Sequence, residues 1–163
     1  MELRKHLSLR FVFIGLYLVA FLAFIIYGLQ PADAVEAYDI GGEIAIPSIG
    51  LQSDVAILDY ENGKLNTPDT IVGSYEKVEN KALLIGHSTT VFRDLHNVKL
   101  GDEIEYKGKT YEIIMIDMVA KNKINMAKLL EPSEKDTIVL MTCAGRLLDG
   151  GDATHRLIVT ATR

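Results

Sequence analysis

Residues 137–142 read TIVLMT and residues 156–162 read RLIVTAT, two short apolar runs near the C-terminus. Both are rich in β-branched side chains, which favour the pleated, buried environment of a sheet. Runs of this length that lack helical periodicity are typical of core strands. The two runs therefore predict two strands of a β-rich domain.

Further short runs of the same character lie upstream. They are Glu43–Ile46, Asp54–Leu58, Ala82–Ile85, Glu103–Tyr106 and Thr110–Ala120. The residues Lys107-Gly108-Lys109 predict a hairpin turn in which glycine takes a positive φ. Two short segments, Thr90–Asn97 and Asn125–Leu130, show helical spacing and predict helical inserts. About seven or eight strands without regular strand–helix alternation predict an all-β sandwich or closed barrel.

A different pattern precedes this domain. Residues 11–29 read FVFIGLYLVAFLAFIIYGL and carry no charge and no proline. As a helix they span about 28 Å, close to the ~30 Å hydrocarbon core of a bilayer. Residues 1–10 have a net positive charge, so the positive-inside rule predicts a cytoplasmic N-terminus and a single-pass anchor in the cell membrane.

Residues 30–42 are small and polar, and they predict a linker to an extracellular domain over residues 43–163. A signal peptide cleaved near Ala32-Asp33-Ala34 is the alternative to an anchor. The apolar run is longer than the usual core of a signal peptide, which favours the anchor. Either interpretation places the domain outside the cytoplasm.

Composition removes several classes of function. The 163 residues contain one cysteine, which excludes an internal disulfide and a multi-thiolate metal site. The net charge of −5 argues against a nucleic-acid binder held by phosphate contacts. The sequence also lacks the glycine-rich phosphate loops and the HExxH zinc motif.

The single cysteine, Cys143, ends the run TIVLMT and is either a small buried apolar group or a nucleophile. A nucleophilic thiol needs a proton partner. His87 emerges from the apolar run 82–85 and is the favoured candidate. His96 lies in a predicted solvated insert, and His155 is expected on the opposite strand face from Arg156. His6 lies on the predicted cytoplasmic side.

An attacked carbonyl develops negative charge and needs a fixed donor. Arg156 opens the last strand and is either that donor or an edge charge against aggregation. Arg93, Arg146 and Arg163 compete with it, although Arg146 lies in a Gly-rich stretch that predicts a loop. Asp149 and Asp152 in that stretch suggest at most weak Ca²⁺ binding, since loop aspartates usually only stabilise turns. No cofactor is expected.

The order of these residues resembles the sortases. The matching pieces are LLIGHS at 83–88, IVLMTCAG at 138–145 and RLIVTATR at 156–163. The stretches 44–55 and 91–113 resemble further parts of the family, so the resemblance covers nearly all of residues 43–163. Each motif alone is weak, and the ordered set is specific.

The resemblance implies a closed eight-stranded β-barrel and a cysteine transpeptidase. Such enzymes cleave secreted surface proteins at a C-terminal sorting signal, commonly LPxTG, and join them to an amine of the cell wall or of a pilus subunit. By position, Cys143 is the nucleophile, His87 the general acid/base and Arg156 the oxyanion donor or a donor that orients the substrate, with Thr142 lining the site. Met141 differs from the residue of many members and is expected to face the core.

Two other classes of function stay open on the sequence alone. One is an anchored cysteine hydrolase that releases its product to water. The other is a non-catalytic surface adhesion module. Transfer to an added amine separates the transpeptidase from the first, and a functional requirement for Cys143 separates it from the second.

Overall fold

The computed structural model describes residues 38–61, 64–148 and 152–163. Residues Tyr38–Arg163 belong to one compact unit. The predicted cytoplasmic segment, the predicted span at 11–29, the candidate cleavage region and most of the predicted linker lie outside the described residues. No helix within the described ranges is long and apolar enough to cross a membrane.

The described residues are mostly in strands. The strands are β1 (Ile40–Ile46), β2 (Leu51–Ile57), β3 (Tyr60–Glu61), β4 (Lys64–Leu65), β5 (Val72–Val78), β6 (Lys81–Ile85), β7 (Glu103–Tyr106), β8 (Lys109–Ala120), β9 (Thr137–Leu147) and β10 (Ala153–Thr162). The helical pieces are 3₁₀ turns at Pro47–Ile49, Leu95–Asn97 and Lys121–Lys123 and one short α-helix, α1 (Met126–Leu129). The first strand begins inside the predicted 30–42 linker.

Eight strands of the described unit close into a barrel, in the order β1-β2-β5-β6-β9-β10-β8-β7. β2 pairs with β5 and β6 pairs with β9 in parallel, and the other barrel pairs are antiparallel. β3 and β4 form a separate small hairpin. The predicted all-β fold with a closed eight-stranded barrel is confirmed.

The barrel buries apolar side chains on two surfaces. One cluster fills the interior and includes Ile138, Leu140, Leu84 and Val159. A second cluster, the outer cluster, is formed by Ala56, Leu58, Leu83, Ile85, Val139 and Ile158 and is covered by side chains that include Met126 and Leu129 of α1. Strands buried on both faces read as continuous apolar runs. This explains why TIVLMT does not alternate.

β5 was not predicted from the sequence. Its residues Gly73, Ser74, Glu76 and Lys77 break the apolar pattern, yet the strand closes the barrel between β2 and β6. Ser74 is fully buried and hydrogen-bonds Tyr106 (2.9 Å) and Glu76 (2.7 Å). Tyr106, a partner from a distant part of the chain, therefore helps to satisfy a buried polar group that argues locally against a strand.

The predicted turns and inserts have mixed outcomes. Lys107 and Gly108 both have positive φ, 49° and 71°, and confirm the hairpin. α1 is confirmed, and the Asn125 side chain caps it by accepting from the Lys128 N–H (3.2 Å). The predicted insert Thr90–Asn97 is a series of turns that ends in a 3₁₀ helix. Its buried Phe92 and Leu95 pack on the core at a spacing that resembles a helix.

Candidate active site

The alternation of side chains along β9 and β6 places Cys143 and His87 on the same face of the sheet. On β9, Ile138 and Leu140 point into the barrel and Val139 packs on the outer cluster, so Cys143 follows the outward row. On β6 the outward residue Ile85 is in register with Met141. His87 lies two residues beyond Ile85, as Cys143 lies two beyond Met141.

Two hydrogen bonds extend this pairing past the end of β6. The Gly86 N–H donates to the carbonyl oxygen of Met141 (3.4 Å), and the Thr142 hydroxyl donates to the carbonyl oxygen of Gly86 (2.7 Å). Thr142 is buried, with 4% exposure. It was predicted to line the site. It does border the cleft, and its hydroxyl ties the residue before Cys143 to the residue before His87.

Gly86 has a steric reason to precede His87. A Cβ at this position would lie 2.6 Å from Cγ1 of Val91 and 2.8 Å from Cδ2 of Phe92. Phe92 is in the core, so this contact is not relieved by moving a free side chain. The glycine lets the 88–97 turns pack closely against the end of β6.

Arg156 joins the pair from β10. It is the direct register partner of Cys143, and Ile158, two residues further along β10, packs on the outer cluster. Directly opposite residues in a sheet project to the same face with Cβ atoms about 5 Å apart. The Arg156 side chain is 17% exposed. Three residues distant in sequence therefore meet over one edge of the outer cluster.

They line a cleft of about 370 Å³, termed the active-site cleft. Its lining residues are Leu65, Thr67, Ile85, Gly86, His87, Met126, Met141, Thr142, Cys143 and Arg156. Met141 was expected to face the core, and this is wrong. It belongs to the outward row of β9, packs on the outer cluster and forms part of the apolar wall beside Cys143.

A second cleft of about 290 Å³ borders Cys143 and Thr142. Its other lining residues include Ser88, Arg93, His96 and Leu147. Cys143 therefore lies between two clefts. Its thiol is partly exposed and has no hydrogen-bond partner among the described residues.

Of the histidines in the described ranges, only His87 shares the active-site cleft with Cys143. Its side chain is 43% exposed, and Nε2 lies 3.7 Å from an oxygen of the exposed Asp69. His96 is exposed, and its Nδ1 lies 3.0 Å from the carbonyl oxygen of Arg93. His155 faces Ala144 across the sheet, and its Nδ1 lies 2.8 Å from the Thr154 hydroxyl.

The competing arginines lie elsewhere. Arg146 was predicted in a loop, and this is wrong because β9 continues to Leu147 with Arg146 exposed in the strand. Arg163 contacts Asp136 beyond the opposite end of β9. Arg93 borders the second cleft and donates to the carbonyl oxygen of Thr89 (3.0 Å).

Asp152 has a role that the sequence did not predict. Its carboxylate pairs with two cationic side chains, Lys121 and Arg156. Hydrogen bonds from Lys121 and Arg156 hold its pKa far below the usual value. No group of metal-binding side chains occurs within the described ranges, and Asp149 lies outside them. Lys121 and Asp152 are far apart in sequence, and no local pattern links them.

The sequence matches a known protein family over nearly the whole barrel. The sortase-domain family model matches residues 44–163. The chain belongs to the sortase family. It is therefore a cysteine transpeptidase, and the non-catalytic adhesion alternative is excluded.

Solved sortases share the fold. A lid mutant of sortase A from Corynebacterium diphtheriae is 26% identical, with a TM-score of 0.59 over 86% of this chain and 78% of that one. Sortase C-1 from Actinomyces oris is also 26% identical, with a TM-score of 0.57 and coverages of 76% and 71%. Sortase C from Clostridium perfringens SM101 is 25% identical, with a TM-score of 0.58 and coverages of 82% and 76%. No curated protein matches the sequence.

Proposed function

We propose that this sortase cleaves secreted surface proteins at a C-terminal LPxTG-like signal and transfers them to an amine of the cell wall or of a pilus subunit. One observation carries the proposal. Cys143, His87 and Arg156, the candidate nucleophile, acid/base and oxyanion donor, line one cleft that has an apolar wall.

In the acylation step, the Cys143 sulfur, as thiolate, attacks the scissile carbonyl carbon and forms a C–S bond. The carbonyl oxygen becomes an oxyanion, to which the always charged Arg156 donates hydrogen bonds. His87, as imidazolium, protonates the leaving amine nitrogen, and the C–N bond breaks. The products are a thioester and a free amine that carries the C-terminal part of the signal.

In the transfer step, a second amine attacks the thioester carbonyl. His87, now neutral, accepts a proton from that nitrogen. The C–S bond breaks and the thiolate leaves, so the enzyme returns to its initial protonation state with one new amide bond formed. Arg156 stabilises the oxyanion of this step by the same contact.

The apolar wall supports a signal that carries apolar side chains. Leu65, Ile85, Met126 and Met141 form this wall beside the candidate catalytic residues. A leucine and a proline upstream of the cut bond can bury their side chains there, at about 25 cal/mol per Å². A similar sortase C from Clostridium perfringens, 25% identical, has been solved with its C-terminal cell wall sorting motif.

The second cleft supports transfer over hydrolysis. It borders Cys143, whereas His87 and Arg156 line the active-site cleft and are not among the residues that line the second cleft. An acceptor amine can bind there while the acyl group occupies the first cleft. Transfer exceeds hydrolysis when the amine is held close to the thioester at high effective concentration.

Residues 11–29 are proposed to anchor the enzyme in the cell membrane with its N-terminus in the cytoplasm and its catalytic domain outside. Substrates held at the same membrane then meet the enzyme at high local concentration. The pattern of charge supports this placement, because the run is uncharged and follows a basic N-terminus.

The experiment uses the full chain in detergent with sorting peptides, with and without an added amine such as oligoglycine. The expected result is an amide-linked product only when the amine is present, with no product from Cys143→Ala. Equal rates of peptide cleavage to a free acid in both conditions would support the cysteine hydrolase instead.

A further inference from the structure

The position of the Arg156 backbone does not by itself fix the direction of its guanidinium group. Its long side chain has several freely rotating bonds, so the register with Cys143 fixes the Cα and leaves the guanidinium direction open. A donor that acts on a developing oxyanion must be oriented before the reaction. Some other group must therefore set the direction of the guanidinium.

Three acceptors hold one part of the guanidinium. Nη1 donates to the carbonyl oxygens of Ala153 (3.1 Å) and His155 (2.9 Å), and Nη2 donates to Oδ1 of Asp152 (2.9 Å). A guanidinium has five N–H donors. Within the described ranges these contacts leave the Nε–H and one Nη2–H of Arg156 without an acceptor, and Arg156 lines the active-site cleft.

Asp152 accepts hydrogen bonds at both carboxylate oxygens and at its backbone carbonyl oxygen. Its Oδ1 also accepts from the Ala153 N–H (2.8 Å), its Oδ2 accepts from Nζ of Lys121, and its carbonyl oxygen accepts from the Leu148 N–H (2.7 Å). With two cations beside it, the carboxylate stays ionised well below neutral pH, because its pKa is strongly lowered. A carboxylate fixed in this way is a rigid acceptor.

Lys121 connects the Asp152 carboxylate to the β8–β9 connection, which also lines the active-site cleft. It opens the 3₁₀ turn Lys121–Lys123, and the same connection between β8 and β9 supplies Met126 to the active-site cleft. The Lys121 side chain is 52% exposed and Asp152 is 35% exposed. Exposed ion pairs of this kind contribute little to stability, so stability alone does not account for the arrangement.

We propose that Asp152 is a positioning residue that orients the Arg156 guanidinium toward the active-site cleft, with Lys121 fixing the carboxylate. The inference rests on the proposed function, because it assigns a support to the proposed oxyanion donor. Asp152 touches neither substrate nor thiol in this role and acts only through Arg156.

The test measures kcat/KM for acylation of Cys143 by a sorting peptide in the full chain. We expect Asp152→Ala to lower it on the order of 10²-fold, the cost of a misplaced catalytic group. Asp152→Glu should recover part of the loss, and Lys121→Met should give a smaller loss in the same direction. Asp136→Ala is the matched control, because Asp136 also pairs with a lysine and an arginine but lies beyond the opposite end of β9.

Coupling to Arg156 separates positioning from a general structural role. In an Arg156→Ala background, Asp152→Ala should cause no further loss, whereas a structural defect would lower both backgrounds equally. Activity of Asp152→Ala equal to that of Asp136→Ala, or full additivity with Arg156→Ala, would overturn the proposal. If Asp152→Ala fails to fold, the same comparison with Lys121→Met decides.

A readout without substrate keeps the two proposals distinguishable. In ¹⁵N-arginine-labelled protein, the Nη protons of Arg156 should show slow rotation and separate signals, which collapse in Asp152→Ala but not in Asp136→Ala. Retained separate signals in Asp152→Ala contradict the positioning role. If the signals collapse in Asp152→Ala but the wild type is never acylated by a sorting peptide, the proposed function is rejected. The orienting contact between Asp152 and Arg156 is then still supported.

Discussion

The polar groups near the two ends of β9 differ in how many of their hydrogen bonds are made. Beside its first residue, Asp136 accepts hydrogen bonds from Lys109 (2.8 Å) and from the Tyr111 hydroxyl (3.0 Å), and its carbonyl oxygen accepts from the Arg163 N–H (3.0 Å). Toward the other end, the Cys143 thiol has no hydrogen-bond partner within the described ranges, and His87 is 43% exposed. Arg156 has unused donors beside them.

On the proposed function, the hydrogen-bonded groups away from the cleft stabilise the barrel, and the groups without partners in the cleft are available to contact substrate. Away from the cleft, burial opposes ionisation of Glu76, but hydrogen bonds from Lys107, Tyr106 and Ser74 outweigh it and lower its pKa. Burial and the Glu76 contact raise the pKa of Tyr106 far above its usual value. The hydrogen-bonded network around Glu76 stabilises the fold. In the cleft, by contrast, the Cys143 thiol and two N–H groups of Arg156 have no partner within the described ranges, which the proposed catalytic role requires.

The largest effect should come from removing the thiol. Cys143→Ala is expected to lower transfer on the order of 10⁴-fold or more, because the acyl-enzyme cannot form. Its melting temperature should stay close to that of the wild type, since the thiol has no hydrogen-bond partner to lose in the described ranges. Product formation by mass spectrometry and thermal unfolding measure the two. Substantial transfer by this variant would remove Cys143 as the nucleophile.

Arg156→Lys should lower kcat/KM on the order of 10²–10³-fold, because lysine lacks the planar fork that both Asp152 and an oxyanion use. The control is Arg163→Lys, which changes the same residue type beside Asp136, at the start of β9 and away from the cleft, and should stay close to wild type. Steady-state kinetics of both variants test the comparison. Transfer by Arg156→Lys at the wild-type rate would reject the oxyanion role.

Tyr106→Phe should have the opposite effect and lower stability without lowering activity. Loss of the hydroxyl removes the 2.5 Å hydrogen bond to Glu76 and the contact with the buried Ser74. Ser74 and Glu76 keep their hydrogen bond to each other (2.7 Å), but the loss of the two Tyr106 hydrogen bonds, one of them to a carboxylate, should cost about 1–3 kcal/mol of unfolding free energy. Denaturant unfolding measures this loss, and kcat/KM of the folded protein should not change. A fall in kcat/KM without a loss of stability would contradict the division between the two regions.

Acid should weaken the region away from the cleft. The pKa values of Glu76 and Asp136 lie below their usual values, the latter mainly through the hydrogen bond from Lys109. Because the folded-state pKa values are depressed, both carboxylates contribute stability above their unfolded pKa values, and this contribution is lost as the pH falls through the folded values.

Melting temperatures measured on the acid side of neutrality should therefore drop as the pH is lowered, and the drop should be smaller in Glu76→Gln. Cys143→Ala serves as the control and should follow the wild-type curve. A changed acid limb in that variant would contradict the comparison.

Much of the barrel was predictable because its core strands are apolar on both faces. TIVLMT and RLIVTAT are buried between the interior and the outer cluster, so their composition alone indicates strands. β5 was not predictable, because its buried Ser74 depends in part on a hydrogen bond with Tyr106, which lies 32 residues away in sequence. Local patterns do not encode such distant partners.

The same limit applies to the site. Cys143, His87 and Arg156 were identified from strand ends and from the family resemblance, and the structure brings them to one cleft. The outward direction of Met141 was missed, because a continuous apolar run does not show which face points into the barrel. The Lys121–Asp152–Arg156 contact was also missed, because it joins two separate connections of the folded chain.

The most direct test of the central claim is the intact mass of the full chain after brief exposure to a sorting peptide without acceptor amine. The account predicts one added acyl group, located at Cys143, released by hydroxylamine and absent from Cys143→Ala. Peptide cleavage without any adduct in the wild type, or an adduct that persists in Cys143→Ala, would contradict it.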